Sequence, residues 1–421
     1  MVRRTRGGAA PSAQGRTLSI LVLVLVALSA EVGWTATAAA TPKQAGPHPA
    51  VRIASSEGTQ AYKVPYRTWN HKWREAVVVL PKDYRPGTET SLPCIVQSPG
   101  RRATPTGAVS AWGDLPSKRG FMVLCADQIG RRDPLNSWGA TGQINDLVKL
   151  PGIVEAALPW VRIDRERLYA VGVSMGGQEA LLALALHPDY FAAGLCVDGI
   201  ADLAARYREL GLVDRTDVKP MMRREVGGTP AQVPFKYAVR SSMTFVRTLA
   251  LSGVPLAIWW SRDDQLVINQ PTTQTGRLYA RILALNPAAP VVQLIGSGSH
   301  GLMIRRDPQA AIETLQEDGQ WLARQAPPES WAYSGWQPRS EVWGYRFLTR
   351  QGLERRWRIG VDGDHLTVRS PAVLTLKIPY GAARPSPATV LVNGSPRSVL
   401  PRDGTLTVVL PKGPSTVVID P

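Results

Sequence analysis

Acidic residues are scarce in this chain: 33 aspartates and glutamates stand against 49 lysines and arginines, a formal charge of +16 over 421 residues. A balance of this kind favours anionic partners in general. The features that would make the partner a nucleic acid are missing. The basic residues are scattered, and the densest cluster is only Arg355-Arg356-Trp357-Arg358. No basic helix face, zinc-finger spacing or aromatic RNA-binding signature accompanies them. Nucleic acid is therefore excluded as a partner, whereas an anionic cell-envelope surface remains compatible with the charge.

Cysteine is equally sparse. Three residues, Cys94, Cys125 and Cys196, cannot build a disulfide framework. Each lies in an apolar segment where a thiol acts as a small hydrophobe, so three buried free thiols are expected, with a Cys94–Cys125 bridge as the alternative if export allows it. His/Cys/Asp/Glu clusters with metal-ligand spacing are absent, so neither metal nor organic cofactor is expected. Internal repeats and long low-complexity tracts are also absent.

The N-terminus carries a processing signal. Arg3, Arg4, Arg6 and Arg16 precede an uncharged run at 18–30, and small residues follow up to Ala38-Ala39-Ala40. A basic region, a short apolar core and an A-x-A-like site describe a secretory signal peptide. The core falls short of the ~20 residues of a spanning helix, so a cleaved 1–40 is expected, with a retained anchor as the alternative. Without its four arginines and Glu31 the remaining chain carries +13.

From residue 75, apolar runs at 76–80, 94–97, 122–126, 168–173, 194–197, 256–260 and 291–295 alternate with helical stretches at 143–161, 178–186, 273–285 and 310–325. Continuously apolar strands separated by helices predict βαβ units and a mostly parallel sheet covered on both faces. Ala326-Pro327-Pro328-Glu329-Ser330 reads as a linker. Beyond it, short alternating stretches such as 389–392 and 405–410 predict a small antiparallel β module. The expected organisation is a 41–74 extension, a catalytic domain at 75–326 with a cap at about 203–250, and the module at 327–421.

The chemistry centres on Gly172-Val173-Ser174-Met175-Gly176-Gly177, where an apolar strand runs into a strong helix-forming sequence. A nucleophilic serine on such a strand-to-helix turn sits in a strained conformation, and the strand and helix pass so closely that glycine is needed two positions either side. The Met175 N–H, at the start of the helix, would face a developing oxyanion. In the α/β-hydrolase fold to which this elbow belongs, the chain order is serine, acid, histidine. Of five histidines, His48 and His71 precede the serine, His187 ends the elbow helix and His365 lies in the β module, which leaves His300 in Gly296-Ser-Gly-Ser-His-Gly301. The acid is Asp264, with Asp263 as the alternative, just after the 256–260 strand. The second oxyanion donor falls to the Arg101 N–H in the loop Ser98-Pro99-Gly100-Arg101-Arg102.

The residues from about 75 to 325 resemble the catalytic domain of bacterial esterases and prolyl oligopeptidase-type peptidases. The matching stretches are Ile163-Asp-Arg-Glu-Arg-Leu-Tyr-Ala-Val-Gly-Val-Ser-Met-Gly-Gly, Gly227-Gly-Thr-Pro, Ser261-Arg-Asp-Asp-Gln-Leu-Val and Gly298-Ser-His-Gly. The resemblance implies serine acyl transfer by Ser174, Asp264 and His300 on a small-molecule or polymeric ester or amide. An ester is the first expectation, because the chain leaves no room for the peptidases' β-propeller and lacks their Tyr-Gly-Gly-Pro stretch; a prolyl oligopeptidase-type peptidase is the alternative. More remote is a carbohydrate- or wall-binding protein on a disabled hydrolase fold, which Trp331, Trp336, Trp343 and Trp357 would serve, although such tryptophans more often seal a domain interface. Gly296-x-Gly298-x-x-Gly301 also fits a dinucleotide fingerprint, but the required second strand ending in an acid does not follow. Met221, Met222, Phe235, Met243 and Phe245 in the cap either line a substrate pocket or simply pack.

Overall fold

A computed structural model describes residues 48–127, 138–212 and 217–420, so the 1–40 segment read as a signal peptide lies outside the described residues. The main sheet has nine strands: β1 (Val51–Ile53), β2 (Thr59–Arg67), β3 (Trp73–Pro81), β4 (Leu92–Ser98), β5 (Met122–Cys125), β6 (Ile163–Val173), β7 (Ala193–Val197), β8 (Leu256–Ser261) and β9 (Val291–Gly296). Their order is β1-β2-β3-β5-β4-β6-β7-β8-β9. The six strands from β5 to β9 in that order are parallel, and β1, β2 and β3 join antiparallel. This is the α/β-hydrolase architecture, in which the carboxyl ends of the parallel strands form one functional edge.

All seven predicted apolar runs are strands of this sheet. The sheet begins earlier than residue 75, however, because β1 and β2 belong to the stretch assigned to an extension. Pro65 obscured β2 as a strand. It is tolerated because β1 pairs only with residues 61–63, leaving β2 unpaired on that side at Pro65. A second correction concerns 310–325. The helix there is only Pro308–Glu313, and a two-strand hairpin, Gln316–Glu317 with Gln320–Trp321, follows it. Asp318-Gly319 turns that hairpin with both residues at positive φ, the geometry an Asp-Gly pair favours.

One face of the sheet packs on helices Thr141–Ala157, Met175–Leu186 and Thr275–Leu285 through residues such as Val78, Val96, Ile144, Leu181 and Ile282. The other face closes over Trp112, Phe121, Met303 and Ile312. Every residue of Met175–Leu186 is buried, as suits a mostly apolar helix, and Gln178 and Glu179 are its buried polar members. The three cysteines are buried and free. Cys125 pairs in register with Gln97 rather than Cys94, and the two thiols join opposite faces of the sheet, which rules out a bridge between them.

Residues 330–419 form two antiparallel sheets of six and four strands. Burial alternates residue by residue along His365–Ser370 and Thr405–Leu410, so each sheet has one buried face. The shared core includes Phe347 stacked on Trp357, with ring centroids 4.3 Å apart. Of the four tryptophan rings, Trp336 is the one packed in the main hydrolase core, against Phe235 and Phe245. Trp331 packs on Trp343 and Tyr345, and Trp357 lies inside the module. The junction is also polar, since Tyr333 Oη donates to Leu186 O and the Trp343 N–H donates to Asp189.

Candidate active site

Ser174 occupies the turn between β6 and the Met175–Leu186 helix at φ 63° and ψ −123°, a strained conformation for a residue with a side chain. The glycines around it make the turn sterically feasible. A Cβ on Gly172 would stand 2.1 Å from Gly176 O, and one on Gly176 would stand 2.0 Å from Ser98 O. Gly176 thus lets the start of the Ser98–Arg102 loop pass directly against the elbow. A Cβ on Gly100 would come within 3.7 Å of Ser174 Cβ, and Arg101 lines the same pocket as Ser174 and Met175.

The structure brings the histidine and one of the two aspartates together. His300 Nδ1 lies 2.8 Å from Asp264 Oδ2. The other oxygen, Asp264 Oδ1, accepts from the N–H groups of Leu266 and Val267 at 2.7 and 3.0 Å. That carboxylate is almost fully enclosed, at 1% side-chain exposure. Asp263 points elsewhere: it is exposed and accepts from the Gly298 N–H at 2.9 Å, bracing the histidine loop from outside. His300 and Ser174 line one pocket. His187 is half-buried at the far end of the elbow helix, where loss of solvent around the ring lowers its pKa to about 4.

Sequence reasoning missed Asp198, which follows β7. Its backbone has φ 46°, and its buried carboxylate joins the acid loop to the histidine loop. Oδ1 accepts from the Ser261 N–H at 2.8 Å and Oδ2 from the Gly301 N–H at 2.7 Å. Burial raises its pKa, and the two backbone donors oppose the shift. The available signal was an aspartate directly after the strand next to the elbow strand, but its partners lie 63 and 103 positions away. Asp198, Asp264 and His300 present donor atoms within 4.8 Å of one another, as a metal site would. Every carboxylate oxygen of that cluster already accepts a hydrogen bond, so the group is built as a scaffold for the imidazole.

Glu179, fully buried one turn into the elbow helix, accepts from Ser98 Oγ beneath the Ser98–Arg102 loop. Burial raises its pKa to about 8, against the opposing effect of the Ser98 bond.

The pocket itself is small, about 50 Å³, and mixed in character. Ile200, Leu210, Val218 and Val267 supply apolar wall, while Arg101 and Arg206 bring guanidinium groups. Of the cap residues singled out in the sequence, Met222 adjoins this region, buried behind the wall with Met175 and Val218. Phe235, Met243 and Phe245 pack on the main core instead.

Residues 118–324 match the model of the prolyl oligopeptidase family. A curated relative, the uncharacterized peptidase YtmA of Bacillus subtilis (strain 168), is 28% identical over 105 residues, which is 25% of this chain and 38% of the relative. The alignment thus spans well under two thirds of that protein. Among solved structures, the chain is similar to an S-formylglutathione hydrolase from Agrobacterium tumefaciens, with a TM-score of 0.49 and 12% identity over 63% of this chain and 98% of that one. It is also similar to the Pyrococcus horikoshii acylaminoacyl peptidase, at 0.47 and 19% over 63% and 40%. A puromycin-hydrolyzing peptidase of Mycobacterium tuberculosis gives 0.48 and 18% over 60% and 38%.

Proposed function

Starting from a serine-hydrolase domain of the prolyl oligopeptidase family at residues 118–324, we propose that this protein cleaves a carboxylic amide or ester through an acyl-enzyme on Ser174. The observation that carries this reading is the strained Ser174 sharing a pocket with His300, whose Nδ1 is held 2.8 Å from the enclosed Asp264. His300 Nε2 takes the Ser174 proton as Oγ attacks the carbonyl carbon. The N–H groups of Met175 and Arg101 receive the oxyanion. His300 then returns the proton to the leaving amine or alcohol, and water, deprotonated by the same imidazole, releases the acid. Asp264 keeps the proton on Nδ1 and steadies the imidazolium.

The family match favours the amide as the natural bond, ahead of the ester that the sequence put first. The same acyl-enzyme hydrolyses activated esters as an easier reaction. The small, partly apolar pocket fits a compact acyl group. Export directed by residues 1–40 completes the proposal, and the N-terminal sequence of the protein recovered from culture medium tests it: an intact Met1 on the secreted chain contradicts cleavage. For the chemistry, a fluorophosphonate probe should label the parent and not Ser174→Ala. Turnover of aminoacyl anilides and aryl esters should fall at least ~10³-fold in that variant with the fold retained. Ester and anilide hydrolysis at the parental rate in Ser174→Ala would sink the assignment.

A further inference from the structure

A second and larger cavity lies away from this site. It is a cleft of about 680 Å³ between segment 244–248 of the hydrolase and the six-stranded sheet of the C-terminal module. Arg247, Arg356, Arg358 and Arg369 line it, and no aspartate or glutamate is among its lining residues. Arg358 and Arg369 are exposed and lie directly opposite each other on strands Trp357–Asp362 and His365–Ser370. Like charges so placed destabilise a sheet. Two other arginines of the module do have acidic partners, Arg346 with Glu341 and Arg384 with Asp364.

The floor of the cleft is equally suited to an anion. Arg356 is half-buried, with its guanidinium 5.3 Å from the Phe245 ring centre and Nη1 donating to Thr244 O at 2.8 Å and to Ser334 Oγ at 3.4 Å. The group is thus anchored by its neighbours without being neutralised.

We propose that this cleft binds a phosphate-bearing ligand, with Arg356, Arg358 and Arg369 pairing its oxygens. Guanidinium forks match phosphate oxygens bidentately. A phosphate offers more anionic oxygens to a cation-rich, acid-free lining than a single carboxylate does. The same chemistry serves a free oligophosphate and an anionic lipid headgroup, and the site is independent of the reaction at Ser174.

The test uses the full chain with sodium tripolyphosphate in titration calorimetry, and with phosphatidylglycerol or phosphatidylcholine vesicles in co-sedimentation. Binding is expected to at least one of tripolyphosphate and phosphatidylglycerol. It should weaken at least about tenfold in Arg358→Ala/Arg369→Ala, with aryl acetate hydrolysis within about twofold of the parent and no drop in Tm. Arg277→Ala/Arg281→Ala, which removes two exposed arginines from the helix Thr275–Leu285, serves as the charge-matched control and should bind like the parent. Binding in neither arm at about 1 mM ligand, undiminished binding by the cleft variant, or an equal loss in the control overturns the proposal.

Discussion

The two β regions of this molecule hold polar groups in different ways. The parallel sheet is apolar on both faces, so its chemistry is confined to the strand ends, where Ser174, Asp198, Asp264 and His300 follow β6, β7, β8 and β9 respectively. Each of those groups is braced by backbone donors or a glycine turn. The C-terminal sandwich has one buried face per sheet and can carry charge across the open one, as Arg358 and Arg369 do. The parallel sheet therefore yields a compact site with fixed geometry, and the antiparallel sheet a broad one with little constraint on each residue.

Substitutions that test this contrast should differ in size. The largest effect belongs to Asp264: replacement by Asn should lower kcat by about 10³–10⁴-fold, the loss typical of an imidazole held in the wrong tautomer. Asp263→Asn should change kcat by less than about threefold, and a reversal of the two in steady-state kinetics would reassign the acid. Next in size is Trp357→Ala in the module core, which should cost about 3–5 kcal/mol in denaturant unfolding, whereas acyl-enzyme labelling at low denaturant persists. Gly176→Ala comes third. Its Cβ would meet the Ser98 carbonyl, so about 1–3 kcal/mol of stability and most of the activity should go together, unlike in the module variant. The smallest effect concerns Glu179. Its folded pKa is raised to about 8, so above the unfolded value the denatured chain gives up its proton first. Stability then falls as pH rises from about 4.5 to about 8 and levels off beyond. Between pH 6.5 and 8 the parent should lose up to about 2 kcal/mol more than Glu179→Gln, and parallel pH curves for the two proteins would remove Glu179 from the account.

How legible each region was depends on the range of the interactions that make it. Ser174 could be read directly because its requirement is local: two glycines, an apolar strand and a helix former within a dozen residues. His300 and Asp264 followed from chain order and from lying just past strands. The choice between Asp263 and Asp264 depends on which carboxylate turns inward, and that is set by the Leu266 and Val267 N–H groups in a loop without regular period. Asp198 was beyond reach because its role exists only once β7 lies between β6 and β8. Thr59–Arg67 is hard to read as a strand because a proline interrupts its alternation, and the helix expected over 310–325 gives way to a hairpin that Asp318-Gly319 turns. In the module, the spacing of strands was readable, but which tryptophan would leave it was not.

Trp336 has a practical consequence for anyone who treats the linker at 326–330 as a place to divide the chain. Its indole belongs by sequence to the module and by contact to the hydrolase, wedged against Phe235 and Phe245. A graft that exchanges the C-terminal portion for another would have to carry those two phenylalanines, or substitutes of matching shape, along with it. The natural seam for recombination here follows an aromatic contact surface and not a position along the backbone.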